Sequence, residues 1–236
     1  MCSLIGLISD IHGNAVALRT VLDELDRMGV AEIICLGDIA GYGPQINECC
    51  DILIKRGIKT LMGNHDYYMA HDQPCPRSSI ANFCLDYQRS VISPQHKAWL
   101  TANPLRLDRE PGIRMVHGGW NDPVDEYLYE LRASYFRELD GSLFISGHTH
   151  VQGLWQVGGK TYCNPGSVGQ PRDGNAHAAF AVLDGLDVQL FRAPYDIDEI
   201  AECSAKAGYE QRAFSNLYHG TRIGGEISRI AVDNSK

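Results

Sequence analysis

Short apolar runs that break off into acids, amides and histidines recur along this chain. The first is LISDIHGN, Leu7 to Asn14. After it, AVALRTVLDELDRMG sets Leu18, Val21, Leu22, Leu25 and Met28 at helical spacing, with Gly29 where a helix C-terminus favours glycine. The unit then repeats: AEIICLGD is a β-rich run ending in Gly37-Asp38, INECCDILIKRG is a second amphipathic helix closed by Gly57, and IKTLMGNHD is a third apolar run with a polar end. Strands and helices alternating at these lengths predict an α/β layered domain with helices packed on the sheet.

Between Asp66 and Ile113 the pattern turns helical, with stretches near Ser78 to Arg89 and Pro94 to Leu100 behind Pro74 and Pro76. This predicts a helical cap inserted at about 70–110. Strands dominate afterwards: IRMVHGG, LFISGHTH, KTYCNPGS, HAAFAVLD and DVQLFRAP, the last two joined by a hairpin at Gly185, with one helix near Arg132 to Leu139. The expected organisation is a single domain over 1–220 and a polar tail over 221–236.

Composition narrows the field. With 236 residues, 44% hydrophobic and 21% charged, the chain suits one soluble domain with a sizeable core. Its formal charge of -8 repels polyanions and disfavours nucleic acid and anionic membranes as partners. The eight cysteines (Cys2, Cys35, Cys49, Cys50, Cys75, Cys84, Cys163 and Cys203) contain no C-x-x-C pair, so reduced thiols in a cytoplasmic protein are expected. MCSLIGLISD has no basic flank and too short an apolar stretch for a signal or a membrane span.

The polar run-ends carry the chemistry. Asp10 and His12, Asp38, Asn64-His65-Asp66, His117, and His148 with His150 all follow apolar runs. Residues two apart on a strand share a face, so Asp10 with His12 and His148 with His150 are expected to converge. In open α/β sheets the functional crevice lies outside the carboxyl ends of the strands, which gathers such residues although they are distant in sequence. Imidazoles with carboxylates and an amide suit divalent first-row metals, and scattered thiolates disfavour structural zinc. The donors exceed the needs of one ion, whereas two ions sharing a carboxylate would use them all.

The ordered blocks Asp10-x-His12, Gly37-Asp38, Gly63-Asn64-His65-Asp66, His117 and Gly147-His148-Thr149-His150, with HGGWNDPVDEYL and NPGSVGQPRDG, resemble the calcineurin-like metallophosphoesterase superfamily. They are similar in particular to its small bacterial and archaeal members related to diadenosine tetraphosphatases. The resemblance implies a four-layer α/β sandwich with a small helical insertion near the metal face. It implies one ion on Asp10, His12, Asp38 and His150, a second on Asp38, Asn64, His117 and His148, and a water between them as nucleophile. Manganese, iron, zinc, nickel, cobalt and magnesium all fit. His65 is implied at the leaving-group oxygen, with Asp66 orienting and charging its ring; a supporting role for His65 is the other reading.

Residues for the substrate are less determined. Asn164, Ser167 and Arg172 follow a strand that returns towards the metal face, and Arg172 either grips a phosphate or is an exposed turn residue. Tyr42 either stacks on a substrate base or plugs its loop, and Trp120 either walls a pocket or packs on the cap. Neither G-x-x-x-x-G-K-[ST] nor G-x-S-x-G occurs, so a P-loop NTPase and a serine hydrolase lack their signatures.

The expected activity is metal-dependent hydrolysis of a phosphodiester or phosphoanhydride in a small nucleotide-like substrate. A phosphomonoester asks for several fixed cations, and Arg172 is the single one placed near the metal face by argument, Arg77 at the start of the cap being placed without one. A phosphomonoesterase or protein phosphatase is the alternative. So is a non-catalytic scaffold of the same fold, although this chain keeps every expected ligand and His65. Oligomeric state is open.

Overall fold

The computed structural model describes residues 4–235, so Cys2 lies outside the described residues. The first strand, β1 (Ile5–Ile8), is buried along its whole length, as a strand covered on both faces must be. It feeds α1 (Ala15–Arg27), where the Asn14 side chain accepts from the Ala17 N–H as N-cap and Leu18, Val21, Leu22 and Leu25 form the buried stripe. A Cβ on Gly6 would lie 2.9 Å from a Leu25 methyl, so glycine there lets α1 settle close on the sheet. The unit repeats as β2 (Glu32–Cys35), α2 (Ile46–Lys55) and β3 (Lys59–Thr60).

Three helices follow: α3 (Asn64–Ala70), α4 (Ser79–Val91) and α5 (Pro94–Thr101). Next come β4 (Arg106–Arg109), β5 (Ile113–Val116), β6 (Glu130–Arg132), α6 (Ala133–Arg137), β7 (Leu143–Ile145), β8 (Gly153–Val157) and β9 (Lys160–Asn164). The chain finishes with β10 (Ala178–Asp184), β11 (Asp187–Ala193), α7 (Ile197–Lys206), two short 3-10 turns and β12 (Ala231–Asp233).

Two five-stranded sheets, ordered β11-β10-β1-β2-β3 and β4-β5-β7-β9-β8, face each other. Leu7, Ile34, Leu36 and Leu61 of the first meet Met115, Leu143, Ile145 and Cys163 of the second in a shared apolar core. On the outer face of the first sheet α1 and α2 close the main core with Leu18, Leu22, Leu25, Ile46 and Leu53. On the outer face of the second, Leu131 and Phe136 from the β6–α6 segment cover Phe144 and Tyr162. This is the four-layer sandwich that the resemblance implies, with a thin fourth layer.

The helices near 70–110 pack on the α2 and α3 side: Ala81, Leu85 and Leu100 join the same core as α1. The tail is not merely polar. Val232 pairs in parallel with Leu131, and the Ser228 N–H donates to the Arg172 carbonyl, so backbone hydrogen bonds hold a segment whose side chains bury little. No helix among the described residues is long and apolar enough to cross a membrane.

Candidate metal centre

Strands β1, β2 and β3 run parallel in one sheet, β5 and β7 in the other, and their carboxyl ends open on one edge. The loops beyond them are tied together: the Asp10 N–H donates to Gly37, His12 to Asp38, and Gly147 to His117. Asp10 and His12 converge for a reason other than strand alternation. β1 ends at Ile8, and Asp10 (φ 54), His12 (φ 49), Asp38 (φ 57), His148 (φ 65) and His150 (φ 59) all occupy the left-handed region. Asp and His enter that region more readily than most residues, at a cost of about 1–3 kcal/mol each that the surrounding hydrogen bonds must offset.

Glycines make room for this crowding. A Cβ on Gly63 would stand 2.2 Å from Asp38 Oδ1, and one on Gly147 would stand 2.0 Å from Ser9 Oγ and 2.6 Å from Asp10 Oδ2. Only hydrogen fits at either position.

Two buried groups emerge. Ligand atoms of Asp10, His12, Asp38 and His150 lie within 4.8 Å of one another, and so do those of Asp38, His117 and His148. Asp38 belongs to both, with Oδ2 at 3.6 Å from His12 Nε2 and 3.4 Å from His117 Nε2. The Asn64 amide oxygen lies 3.3 Å from His117 Nε2.

Proton placement tests whether these atoms suit a metal. His12 Nδ1 donates to the Ala40 carbonyl (2.8 Å), His117 Nδ1 to Leu36 (2.9 Å) and His150 Nδ1 to Gln170 (2.6 Å). With Nδ1 committed to a carbonyl, each ring turns Nε2 inward, the atom a metal ligand presents, and in the neutral rings of His12 and His150 it is a bare lone pair. The Nε2 atoms of His12 and His150 face each other at 3.0 Å with no proton between the two neutral rings. Asp10 Oδ1 is buried with no hydrogen-bond partner. Acceptors aimed at acceptors in a dry site are costly unless a cation lies among them, so the donor set fits divalent ions.

The electrostatics agree. Burial pushes His12 well below its ordinary value despite Asp38 opposite, and burial with the Arg172 charge lowers His150. Burial also acts against His117, but the Asp38 and Asp10 carboxylates outweigh it and hold it up at about 9. Asp38 and Asp10 resist burial through their imidazole neighbours and stay below the usual carboxylate range. Two carboxylates against one protonated imidazole leave negative charge for a cation to balance.

His65 sits beside the groups. Its backbone N–H donates to Asp38 Oδ1 (2.8 Å), and its ring lies 5.0 Å from those of His12 and Tyr42. Burial lowers it to about 4, against Asp38, so it is neutral at pH 7 without substrate. Asp66 does not orient or charge that ring. Its carboxylate accepts from the N–H groups of Asp38, Ile39, Ala40 and Gly63, and His65 Nδ1 has no partner. The acid is spent on holding the Asp38 turn.

The remaining residues divide. Tyr42 and Arg172 line a cavity of about 560 Å³ that reaches Asn64 and His65. The Arg172 guanidinium lies 5.4 Å from the centre of the Tyr42 ring. Trp120 lies elsewhere. Its indole packs on Phe144 at 4.9 Å and on Phe136, in the fourth layer, its carbonyl accepts from Arg106, and it is not among the residues that line the cavity. Asn164 donates to the Gly147 carbonyl and to Thr149, and the Ser167 hydroxyl donates to the Asp10 carbonyl. Both hold ligand loops from behind.

Other residues contribute as well. Gln88 of α4 accepts from the Gly41 N–H and donates to the Gly41 and Gly43 carbonyls, clamping the Tyr42 loop. Tyr127 lies on His148 with ring centres 3.7 Å apart, and Asp125 Oδ1 faces His148 Nε2 at 3.4 Å. Asp125 is itself bound by Tyr68 and Arg77. Arg77 and Arg222 line the cavity with Arg172, so more cations reach it than the one the sequence places there by argument. Tyr127 and Asp125 stood in the quoted block HGGWNDPVDEYL; Arg222 had no sequence signal.

Paired sheets with an Asp/His cluster at their carboxyl edge define a metallophosphoesterase. Residues 4–187 match the calcineurin-like phosphoesterase superfamily domain, and the chain belongs to that family. An uncharacterized protein of Methanocaldococcus jannaschii is 31% identical over 221 residues, 85% of this chain and 91% of the other. The phosphodiesterase YfcE of Escherichia coli is 26% identical over 191 residues, 75% and 84% of the two chains. A solved metallophosphoesterase from Sphaerobacter thermophilus superposes with a TM-score of 0.81 at 30% identity, covering 94% of this chain and all of that one.

Proposed function

We propose that this chain hydrolyses a phosphodiester or phosphoanhydride of a small nucleotide-like substrate with two divalent cations, in the cytoplasm. The observation that carries the reading is the 3.0 Å approach of two Nε2 acceptors, His12 and His150, beside a carboxylate, Asp38, that belongs to both donor groups. Asp10, His12, Asp38 and His150 would hold one ion, and Asp38, Asn64, His117 and His148 the other. Bound there, such ions supply electrophilic stabilisation of the phosphoryl group and acidify water as the nucleophile.

The chain's own residues do the rest. Backbone carbonyls of Ala40, Leu36 and Gln170 hold three rings in the ligating tautomer. Asp66 fixes the turn that carries Asp38. His65, on the cavity wall, delivers a proton to the leaving-group oxygen, and the phosphate of bound substrate supplies the negative charge that favours its protonated form. Tyr42 and Tyr127, on the same wall, offer flat apolar surface to a nucleoside ring. The seven cysteines among the described residues are all free, which supports the cytoplasmic setting. The complete donor set favours catalysis over a scaffold role.

The test is turnover of a matched panel by manganese-loaded protein: a phosphomonoester, an activated diester and a dinucleoside polyphosphate. Higher kcat/KM for the last two is expected, because Tyr42 and Tyr127 offer surface to the groups that flank the phosphorus, which a simple monoester lacks on one side. A clear preference for the monoester would overturn the substrate class, and no turnover with any metal would overturn the enzyme.

A further inference from the structure

The C-terminal segment beyond Gly220 lies outside residues 4–187 that match the family, yet it forms one wall of the cavity above Asn64 and His65. Its backbone is fastened there. Ser228 donates to the Arg172 carbonyl (2.7 Å), and the Arg172 N–H in turn donates to the carbonyl of His150 (3.2 Å). Arg222 and Glu226 close a small turn in which the Arg222 N–H donates to the Glu226 carbonyl (2.8 Å). The segment thus joins a candidate ligand loop to the cavity rim.

Charge on this wall is unevenly committed. Arg77 is taken up by Asp125 and Tyr68. Arg172 is 6% exposed, and its Nε is buried without any hydrogen-bond partner, while Nη2 donates to Gln170. Arg222 is exposed and lines the same cavity, and Glu226, which lines it too, is the opposing charge. A buried guanidinium with a spare donor asks for an anion, and a guanidinium matches phosphate oxygens in a forked geometry.

We infer that Arg172 and Arg222 form a site for a second phosphate, beyond the one under attack, which makes the C-terminal segment the specificity wall. The preferred substrate is then a nucleotide whose scissile phosphorus lies in a phosphoanhydride chain. This rests on the proposed phosphoesterase reading, and it goes further by separating anhydride from plain diester. A diester with one charge leaves the Arg172 donor unmet; a neighbouring phosphate meets it.

The experiment is calorimetric binding of α,β-methylene-ADP, with adenosine as reference, to the full chain loaded with manganese and again in EDTA. Arg222→Gln should weaken the ADP analogue about tenfold, one charge-assisted contact, with a smaller change for adenosine. Glu226→Gln should tighten it. Both side chains are on the surface, so these variants keep the fold. In turnover, Arg222→Gln should lower the ratio of kcat/KM for a dinucleoside polyphosphate over bis(4-nitrophenyl) phosphate about tenfold. Equal effects on analogue and adenosine, no effect of either variant, or no binding by the parent chain would overturn the second-phosphate site. Absence of all turnover would remove the phosphoesterase reading, while the binding in EDTA still decides the site.

Discussion

His12 Nε2 and His150 Nε2 face each other at 3.0 Å, and neither neutral ring has a proton to offer, because both Nδ1 atoms already donate to backbone carbonyls. A cation relieves this opposition. Adding manganese to chelated protein at about 100 times the dissociation constant should stabilise it by about 2.7 kcal/mol per site, raising Tm by roughly 5–10 °C. Elemental analysis should find about two ions per chain. Asp38→Asn should cancel both effects, since Asp38 is the shared carboxylate. A thermal scan unmoved by every divalent metal would refute the site.

His65 and Asp66 are adjacent in sequence and opposite in role. His65→Asn should keep metal content and lose kcat by roughly 10²–10⁴-fold, as removal of a proton donor does. Loss of metal in that variant would make it a ligand support instead.

Asp66→Ala should act through the fold. It strips the acceptor from four buried N–H groups, each costing about 1–3 kcal/mol when left unpaired, so a loss of about 3 kcal/mol or more is expected in urea unfolding. The Asp38 turn should loosen with it. Stability equal to the parent chain would show that the turn holds itself.

Gly147 tests the close approach behind Asp10. An alanine there meets Ser9 Oγ and Asp10 Oδ2 inside contact distance, so Gly147→Ala should cost about 1–3 kcal/mol and weaken the metal carried by Asp10. Titration of metal into the variant measures the second effect.

The sequence makes the layered fold and the donor positions legible for one reason: both are local. Apolar runs such as Ile33–Cys35 declare strands, and the polar residues just beyond them must lie at the sheet edge. What is not local is not legible. The convergence of Asp10 with His12 depends on left-handed backbone that hydrogen bonds to Gly37 and Asp38 maintain. Trp120 is drawn to Phe144 and Phe136 by a layer whose strand β6 pairs with the distant β12. The edge strand β8 leaves Leu154 exposed, and α7 carries three acids among ten residues, so neither declares itself by a continuous apolar run. Arg222 reaches the cavity only because the segment around it is fastened through Ser228 to Arg172.

Glu32 offers a test by pH away from the metals. It stands on β2 and is held from two sides, by Lys59 on β3 (2.9 Å) and by Arg109 on β4 of the other sheet, whose Nη2 reaches both carboxylate oxygens at 2.5 Å. Partial burial pushes its carboxyl up, but the two cations outweigh burial and hold it below its ordinary 4.5. A carboxyl lowered by folding adds stability that is complete above the unfolded value and disappears as pH falls through the folded one. The Tm difference between the parent chain and Glu32→Gln should therefore be steady from pH 6 to 7, shrink below about 4.5 and vanish in stronger acid. Salt should shrink it at neutral pH as well, since the carboxylate is about a quarter exposed. A difference that stays constant down to pH 3 would mean that the variant acts through packing and that the link between the two sheets at Glu32 is not electrostatic.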